Sequence, residues 1–368
     1  MKSIWARGAE QRAVSYQDVW GRGDDWQEIV KGSSDPLALS TAFACIRLLS
    51  SIFGQLPFDA YRDRGGFSEK VGAPSRLIVK PSPNRPRSLW LAEHMVSQLV
   101  WGNSYGYVYA RDAAGYPTGL QWLDASKIRV EQLDAGGNCR FWLNGEQLAT
   151  ADVVHIPFFV LPGVAKGVAP LERSGQVQLA MQVQKFAERW FKDGAVPGAI
   201  LSYDGDLDAE QAKEVKRRFL QTVRAQAGVA VLGGKFSYER VGVPGNEAQF
   251  LETSQNIDLR VAHSFGVLPS MLGLLQKGAS LTYANREQDV QNLLTTTLNL
   301  PIVVMQEVLT GLLPNPQFVR FNTAALLRSD LETRYRSYQT ALAAGFLTVD
   351  EVRQLEDRQP LPEGQSNV

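Results

Sequence analysis

Cysteine is nearly absent: the 368 residues hold two, Cys45 and Cys139. Two cysteines in apolar or strand-like surroundings make neither a disulfide framework nor a metal-ligand spacing, and predict buried free thiols. Histidine is almost as scarce. His94, His155 and His263 lie in three separate segments, so none is paired at metal spacing and each reads as a core or surface residue. Charge has no excess of either sign, since Lys+Arg and Asp+Glu both number 38. A chain that grips nucleic acid by neutralising phosphates carries a basic surplus, so tight static DNA binding is disfavoured, a local patch aside. No run of about 18 apolar residues occurs, which removes a membrane-spanning helix. The opening "MKSIWARGAEQRAVS" lacks the apolar core of a secretory signal, and with the sparse cysteine predicts a reducing, cytoplasm-like compartment.

Enzyme signatures are missing too. There is no G-x-S-x-G elbow and no H-E-x-x-H. "VLGGKF" at 231–236 looks like a phosphate loop but lacks its spacing, and Phe236 stands where the magnesium-binding hydroxyl belongs, so it reads as a hairpin turn. "GRGDDW" fails the dinucleotide pattern and follows no strand. The Arg22-Gly23-Asp24 triplet within it is a chance occurrence in a chain with no secretory signal. Acidic residues are scattered. The expectation is a chain without a catalytic constellation, metal or cofactor.

What is present is an α+β pattern in more than one lobe. Residues 1–36 are polar and rich in Gly and Asp, and predict a mobile arm. From Leu37 the spacing turns helical, with Leu39, Phe43, Ile46, Leu49 and Phe53 on one apolar face. Pro57 ends that helix and "FDAYRD" reads as a strand. A second apolar helix, "LWLAEHMVSQLVWG", follows the loop "KPSPNRPRS". "NSYGYVYARDAAGYPTGLQWLD" has hairpin alternation; its Tyr105, Tyr107 and Tyr109 fit strand packing better than base stacking. "KIRVEQLD", "CRFWLNG" and "DVVHIPFF" add strands.

The second half reads as longer helices. Residues 170–193 open with proline and close before Gly194, predicting one helix of about 36 Å, with Leu179, Val183, Phe186 and Trp190 as its apolar stripe. A strand, "GAILSY", and a charged helix follow. Lys213, Lys216, Arg217, Arg218 and Arg224 share that helix, as a solvated face or as a contact for phosphate or an acidic partner. "GVAVLGG" and "FSYERVG" read as a strand pair turning on Gly233-Gly234. The helix after them places Phe250, Ile257, Val261 and Phe265 on one side and Glu252, Gln255 and Asp258 on the other. Next comes "LLQKGASLTYANREQ", a small polar turn with no nucleophile or base, then a helical run from Tyr283 to about Leu300, and two helices around Gly345.

The order of these segments resembles the HK97-like family of phage portal proteins. Five blocks carry the resemblance: "TAFACIRLLSSIFGQLPFDAYR"; "LVWGNSYGYVYARDAAGYPTGLQWLDASKIRV"; "DVVHIPFF" with "GVAPLERSGQVQLAMQVQKFAERWFKDGAVPGAIL"; "AQFLETSQNIDLRVAHSFGVLPSMLG" with "LTYANREQ"; and "LLRSDLETRYRSYQTALAAGFLTVDEVRQLEDRQPLP". They run collinearly over roughly residues 37–363, although Trp122-Leu123-Asp124 lacks the family's usual proline.

The resemblance implies an α+β portal subunit in a closed homo-oligomeric ring of about twelve copies. By analogy, a wing would span 37–168, a first stem helix 169–197, a clip 198–244, a second stem helix 245–272 and a tunnel loop 273–284. Wing helices would take 285–345, and a short crown or tail 346–368. Gln276, Lys277, Gly278, Ala279, Ser280, Leu281 and Thr282 would line the narrowest part of a DNA channel, and the five basic residues would form a basic face on the clip. The implied partners are the large terminase, a head-tail adaptor, the major capsid protein or scaffold, and double-stranded DNA passing without sequence readout; no membrane is involved. The implied location is a capsid vertex of the virion, after assembly in bacterial host cytoplasm. Other readings are a different head structural or adaptor protein, and the portal of a gene-transfer agent or prophage.

Overall fold

The structure is a computed structural model that describes residues 36–192, 199–203, 210, 213–214, 217, 236–240, 246–274, 283–326, 331–356, 358–359 and 361. Two compact units emerge, one from 1–177 with 259–368, the other from 178–258.

In the first unit, helix α1 (Ser40–Gln55) buries Ala42, Cys45, Ile46, Leu49 and Phe53. Phe43, expected on the buried face, is instead 52% exposed. Its position is one residue, about 100°, off the stripe that starts at Ala42. Small residues take that stripe where helices come close: a Cβ on Gly54 would lie 2.7 Å from the carbonyl of Ser88. Strands β1 (Phe58–Arg64) and β2 (Phe67–Lys70) follow, then the short helix α2 (Arg76–Val79) and helix α3 (Arg87–Trp101), which ends at Gly102 in the left-handed region, φ +68°. Arg87 anchors the start of α3, donating to the carbonyls of Phe58 and Ile78, with its guanidinium 4.6 Å above the Phe58 ring.

Strands β3 (Asn103–Arg111) and β4 (Pro117–Leu123) form the expected hairpin around a turn in which the Asp112 carboxylate accepts from the amides of Ala114 and Tyr116. Strands β5 (Ile128–Gln132), β6 (Cys139–Leu143) and β7 (Glu146–Leu148) make a second antiparallel sheet, and β8 (Val153–Pro157) joins the other side of β3. Tyr105, Leu123, Ile128, Phe141, Leu143, Leu148 and Cys139 fill one core between these sheets. Trp90 and Trp122 lock α3 to β4 by donating to the carbonyls of Leu120 and Trp90 respectively. Tyr105 is buried, and Tyr109 donates its hydroxyl to the Pro81 carbonyl, so the tyrosines pack. Cys45 and Cys139 are buried free thiols, and burial pushes the Cys45 thiol up to about 12.

The helix expected over 170–193 is two helices, α4 (Pro170–Arg173) and α5 (Gly175–Lys192). Ser174 between them has extended backbone, φ −73° and ψ 107°, and its hydroxyl accepts from the Val177 amide at 3.4 Å. Serine competes with the helix for its own backbone bonds, which local apolar spacing does not register. On α5, Val177 and Ala180 are buried, Val183 is half-buried and Leu179 is exposed, so Leu179 sits off the expected line; the Phe186 and Trp190 side chains lie outside those described.

Within 178–258, strands β9 (Ala199–Tyr203) and β10 (Phe236–Arg240) pair antiparallel, Phe236 opposite Tyr203. The partner expected for β10, 228–234, lies outside the described residues, as does the Gly233-Gly234 turn. Helix α6 (Asn246–Ser264) buries Ile257 and Val261, and Phe265 beyond its end is buried too, as the spacing predicted for these three; the Phe250 side chain lies outside those described.

After α6 the run expected to be one helix to Leu300 is broken. Helix α7 (Tyr283–Asn292) passes into a π turn, Leu293–Thr297, and helix α8 (Asn299–Gly311) leaves at 56°. Pro301 explains the break, because it has no amide for the Thr297 carbonyl and its ring crowds that carbonyl. Thr295 and Thr296 reinforce it by donating back to the carbonyls of Gln291 and Asn292. No single helix among the described residues is long and apolar enough to cross a membrane; the bent pair passes that test jointly, but its Leu293, Leu294, Leu298, Ile302, Met305 and Leu309 are buried in the protein.

Strand β11 (Gln317–Phe321) returns to pair with β1, Phe321 opposite Phe58 with ring centroids 4.9 Å apart. Helices α9 (Leu331–Ala343) and α10 (Val349–Leu355) follow, turning at Gly345 with φ +66°.

Candidate functional site

Gln276, Lys277, Gly278, Ala279, Ser280, Leu281 and Thr282 lie outside the described residues. Both flanks are described, and they are tied to each other. On the near side, the turn after α6 reaches Gly266, φ +67°, whose carbonyl accepts from the Thr297 hydroxyl at 2.7 Å. A Cβ at Gly266 would meet Thr297 Oγ1 at 2.8 Å, so the turn and the π segment touch with no room for a side chain. A 3-10 turn, Pro269–Leu272, continues to Gly273, φ +74°. Ser270 within it donates to the Asp289 carboxylate at 2.7 Å, crossing to α7 on the far side. Two pins, Thr297 to Gly266 and Ser270 to Asp289, therefore hold the chain entering 275–282 against the chain leaving it.

These pins were not legible in the sequence as sites. The Thr295-Thr296-Thr297 run before Leu298-Asn299-Leu300-Pro301 is the one local signal, since three hydroxyls just before a proline are placed to satisfy carbonyls that a bent helix frees. Chemically the arrangement ties two chain segments together; among the described residues of these flanks there are no paired carboxylates and no metal set. Among the described residues, no cluster of His, Cys, Asp and Glu is placed to hold a metal ion.

Of the five basic residues expected on one face, Lys213 and Arg217 are described and Lys216, Arg218 and Arg224 are not. Lys213 pairs with Glu210 at 2.9 Å and Arg217 with Glu214 at 2.7 Å, both exposed and one turn apart. Glu214 pushes the Arg217 guanidinium up from its ordinary value by hydrogen bonding and charge. Each cation is thus matched locally, which favours the solvated reading of these two over a phosphate grip.

The histidines are structural where buried. His94, with no exposure, lies tilted against the Phe53 and Trp122 rings, 5.8 and 4.9 Å from their centroids, and shares a 2.7 Å contact with the Ser104 hydroxyl; desolvation lowers its pKa to about 3. His155 stacks on Tyr105 at 4.7 Å, and desolvation first, then the Lys166 charge, lowers it to about 4. Its Nε2 lies 2.9 Å from Asn103 Oδ1, which already accepts the Gly167 amide at 2.8 Å. The oxygen can only accept, so neutral His155 carries its proton on Nε2.

Asn103 completes a junction that sequence reading touched only as part of the block "LVWGNSYGYVYARDAAGYPTGLQWLDASKIRV". Its amide nitrogen donates to the carbonyls of Trp101 and Gly167 at 2.9 and 3.0 Å. Gly102 and Gly167 make that approach possible: a Cβ on Gly102 would lie 2.5 Å from the Ala169 amide, and one on Gly167 2.3 Å from the Gly102 carbonyl. The end of α3, the start of β3 and the entry to α4 meet there without clash.

Comparison with known proteins gives one consistent answer. The sequence model of the family described as "Phage portal protein" matches residues 40–357. A probable portal protein of Streptomyces phage phiC31 is 29% identical over 362 residues, covering 90% of this chain and 77% of that protein. The crystal structure of an HK97 family phage portal protein from Corynebacterium diphtheriae aligns with a TM-score of 0.61 at 14% identity, over 82% of this chain and 98% of the other. A chain in the neck of a native gene transfer agent particle, computed with C12 symmetry, aligns with a TM-score of 0.58 at 17% identity, over 98% of this chain and 100% of the other.

Proposed function

This chain belongs to the phage portal protein family, and on that premise we propose that it closes into a homo-oligomeric ring of about twelve copies at one capsid vertex. Double-stranded DNA enters and leaves through the ring. The large terminase docks on it and supplies the work of packaging; a head-tail adaptor follows; the major capsid protein or scaffold surrounds it. The ring itself acts as a conduit, not a catalyst.

The observation that carries this reading is collinear extent. The family match runs from residue 40 to 357, and a chain of the neck computed with C12 symmetry aligns over 98% of this one. The assignment of parts is an inference from that alignment and from the sequence. In it, the excursion 178–258 corresponds to most of the first stem helix (169–197), the clip (198–244) and the start of the second stem helix (245–272). Residues 37–168 and 285–345 form the wing, 346–368 a short crown or tail, and 273–284 the loop at the narrowest point.

Physical chemistry favours a weakly basic loop there. Every strong phosphate contact has to be broken for DNA to advance, and its strength grows with each cation engaged. One lysine per copy, Lys277, beside Gly278, Ala279 and Ser280, guides without gripping. The two pins hold the loop's ends. A gene transfer agent or prophage setting uses the same device, and the likeness to the gene transfer agent neck keeps that setting open. The test is native mass spectrometry with negative-stain class averages of the purified chain. Closed rings of about a dozen copies around a hole are expected; a monomer or dimer that stays so with scaffold and capsid protein present overturns the proposal.

A further inference from the structure

The α9–α10 hairpin is well bonded and has no core. Thr348 and Glu351 form a reciprocal capping box at the start of α10. Arg334 and Tyr338 of α9 both reach the Glu356 carboxylate, at 3.0 and 3.1 Å. The tail folds back, with the Leu361 amide donating to Asp350 at 2.9 Å and Arg353 donating to the Gln359 carbonyl at 2.7 Å. Yet among its described side chains none is buried, whereas half of α1 is. Phe346 is 80% exposed at the tip and Leu355 61%, with Tyr335 and Val349 exposed as well. Beside Phe346 an open groove of about 470 Å³ is lined by Arg336, Ser337, Thr340, Ala341 and Ala344.

A hairpin of this length cannot bury enough apolar surface to hold itself in one geometry. An exposed cluster of large apolar side chains marks a surface that another molecule covers. We infer that the α9–α10 hairpin docks on a neighbouring copy of this chain, with Phe346 and Leu355 as the side chains it inserts. This rests on the ring reading above and specifies one of its contacts. Ring closure is heterologous, so each copy has to present one patch and receive it on a different one. A receiving surface of the right chemistry exists on the first unit: α3, already packed on its inner face, exposes Leu89, Val96 and Trp101, and α1 exposes Phe43. The partner chain that the comparisons supply is also a copy of the same fold, repeated with C12 symmetry in the aligned neck.

The test uses the full chain made twice, once with ordinary and once with heavy isotopes, both carrying Phe346→benzoylphenylalanine. After mixing, assembly and irradiation, peptides crosslinked to position 346 are identified by mass. The inference expects about half of them to join a light chain to a heavy one, as random neighbours in a ring would. It also expects Phe346→Glu with Leu355→Glu to lower the ring fraction at least about tenfold, because a buried interface does not tolerate unpaired carboxylates. Phe346→Leu should keep it. Since neither residue is buried within its own chain, the charged variant should remain folded, with unchanged circular dichroism. Crosslinks confined to single chains, or joining position 346 to capsid protein and not to another copy, overturn the inference. So do undiminished rings of the charged variant, and in each case the ring reading stands. Failure of the unchanged chain to form rings even with scaffold and capsid protein present overturns both.

Discussion

Gly266→Ala is the sharpest probe of the pins that flank 275–282. Two independent costs follow from its geometry. The residue sits at φ +67°, where an L side chain costs roughly 1–2 kcal/mol. The added methyl would also stand 2.8 Å from Thr297 Oγ1 and 2.9 Å from its Cγ2. Thr297 then has to turn away and give up its 2.7 Å bond to the Gly266 carbonyl, worth about 1 kcal/mol. Together the loss is about 2–3 kcal/mol, or roughly 5 °C in melting temperature for a unit of this size. Thr297→Ala alone should cost only the bond and a small packing loss, about 1–1.5 kcal/mol. In the double variant the clash is gone and the bond is lost only once, so the two changes should be sub-additive by about 1 kcal/mol. Urea unfolding of the four proteins closes this cycle. Gly266→Ala within 0.5 kcal/mol of the parent (the ordinary scatter of about 0.5 kcal/mol for neutral surface changes) would refute the contact, and strict additivity would show that the two residues do not meet. In a packaging assay the single variant should form rings yet package less DNA.

Asn103→Ala strands the Gly167 amide and carbonyl, the Trp101 carbonyl and His155 Nε2 at once, and should cost about 3–5 kcal/mol by denaturant unfolding; Asn103→Asp should not rescue it, because a carboxylate cannot donate to those carbonyls. Acid should destabilise the first unit through buried His94 and half-buried His155: they titrate near 6.5 when unfolded, and desolvation lowers them to about 3 and about 4 when folded. Their contribution is therefore flat above pH 6.5 and destabilising as pH falls below it, by about 2 kcal/mol for each at pH 5; Glu93, raised by burial, opposes this in part. His155→Gln should roughly halve the pH slope, and an unchanged slope would refute the assignment. Replacing 276–282 with a shorter Gly-Ser linker should leave ring assembly intact and impair packaging or genome retention, and normal packaging and retention would count against the proposed tunnel assignment.

What the sequence disclosed was local. The β3–β4 hairpin, helix α3 and the buried face of α6 follow from spacing within about ten residues, so periodicity found them. Where it erred, a short-range chemical effect had outweighed apolar pattern. Phe43 looked like a core residue, but close helix contact favoured Ala42 and Cys45. Ser174 and Pro301 each broke a helix whose apolar spacing ran on unchanged. The pairing of β1 with β11 was not anticipated, because register between strands so far apart is set by which faces meet, here Phe58 on Phe321. For the site the same division holds. Composition singled out a small polar loop, while Asn103 joins residues 52 and 64 positions away and the pins join residues 19 and 31 apart.

The chemistry of the pins bears on what a DNA conduit requires. A channel holding DNA is crowded with phosphate and mobile counterions, and exposed ion pairs weaken as ionic strength rises, with a screening length of about 8 Å at physiological salt. Fastening a loop there with lysine–glutamate pairs would let the cargo compete for the fastening. The flanks of 275–282 are instead held by hydroxyl donors, Thr297 to a carbonyl and Ser270 to Asp289, at 2.7 Å each. Contacts this short and uncharged on at least one side are little affected by salt, and Asp289, engaged by a hydroxyl, presents no cation that phosphate could capture. The contrast is with Lys213 and Arg217, whose pairs are exposed and open to exchange. The stability lost on Thr297→Val should therefore be the same at 0.05 and 1 M salt, a range over which the screening length falls from over 10 Å to about 3 Å. A loss that shrinks steeply with salt would mean that the pin acts through charge.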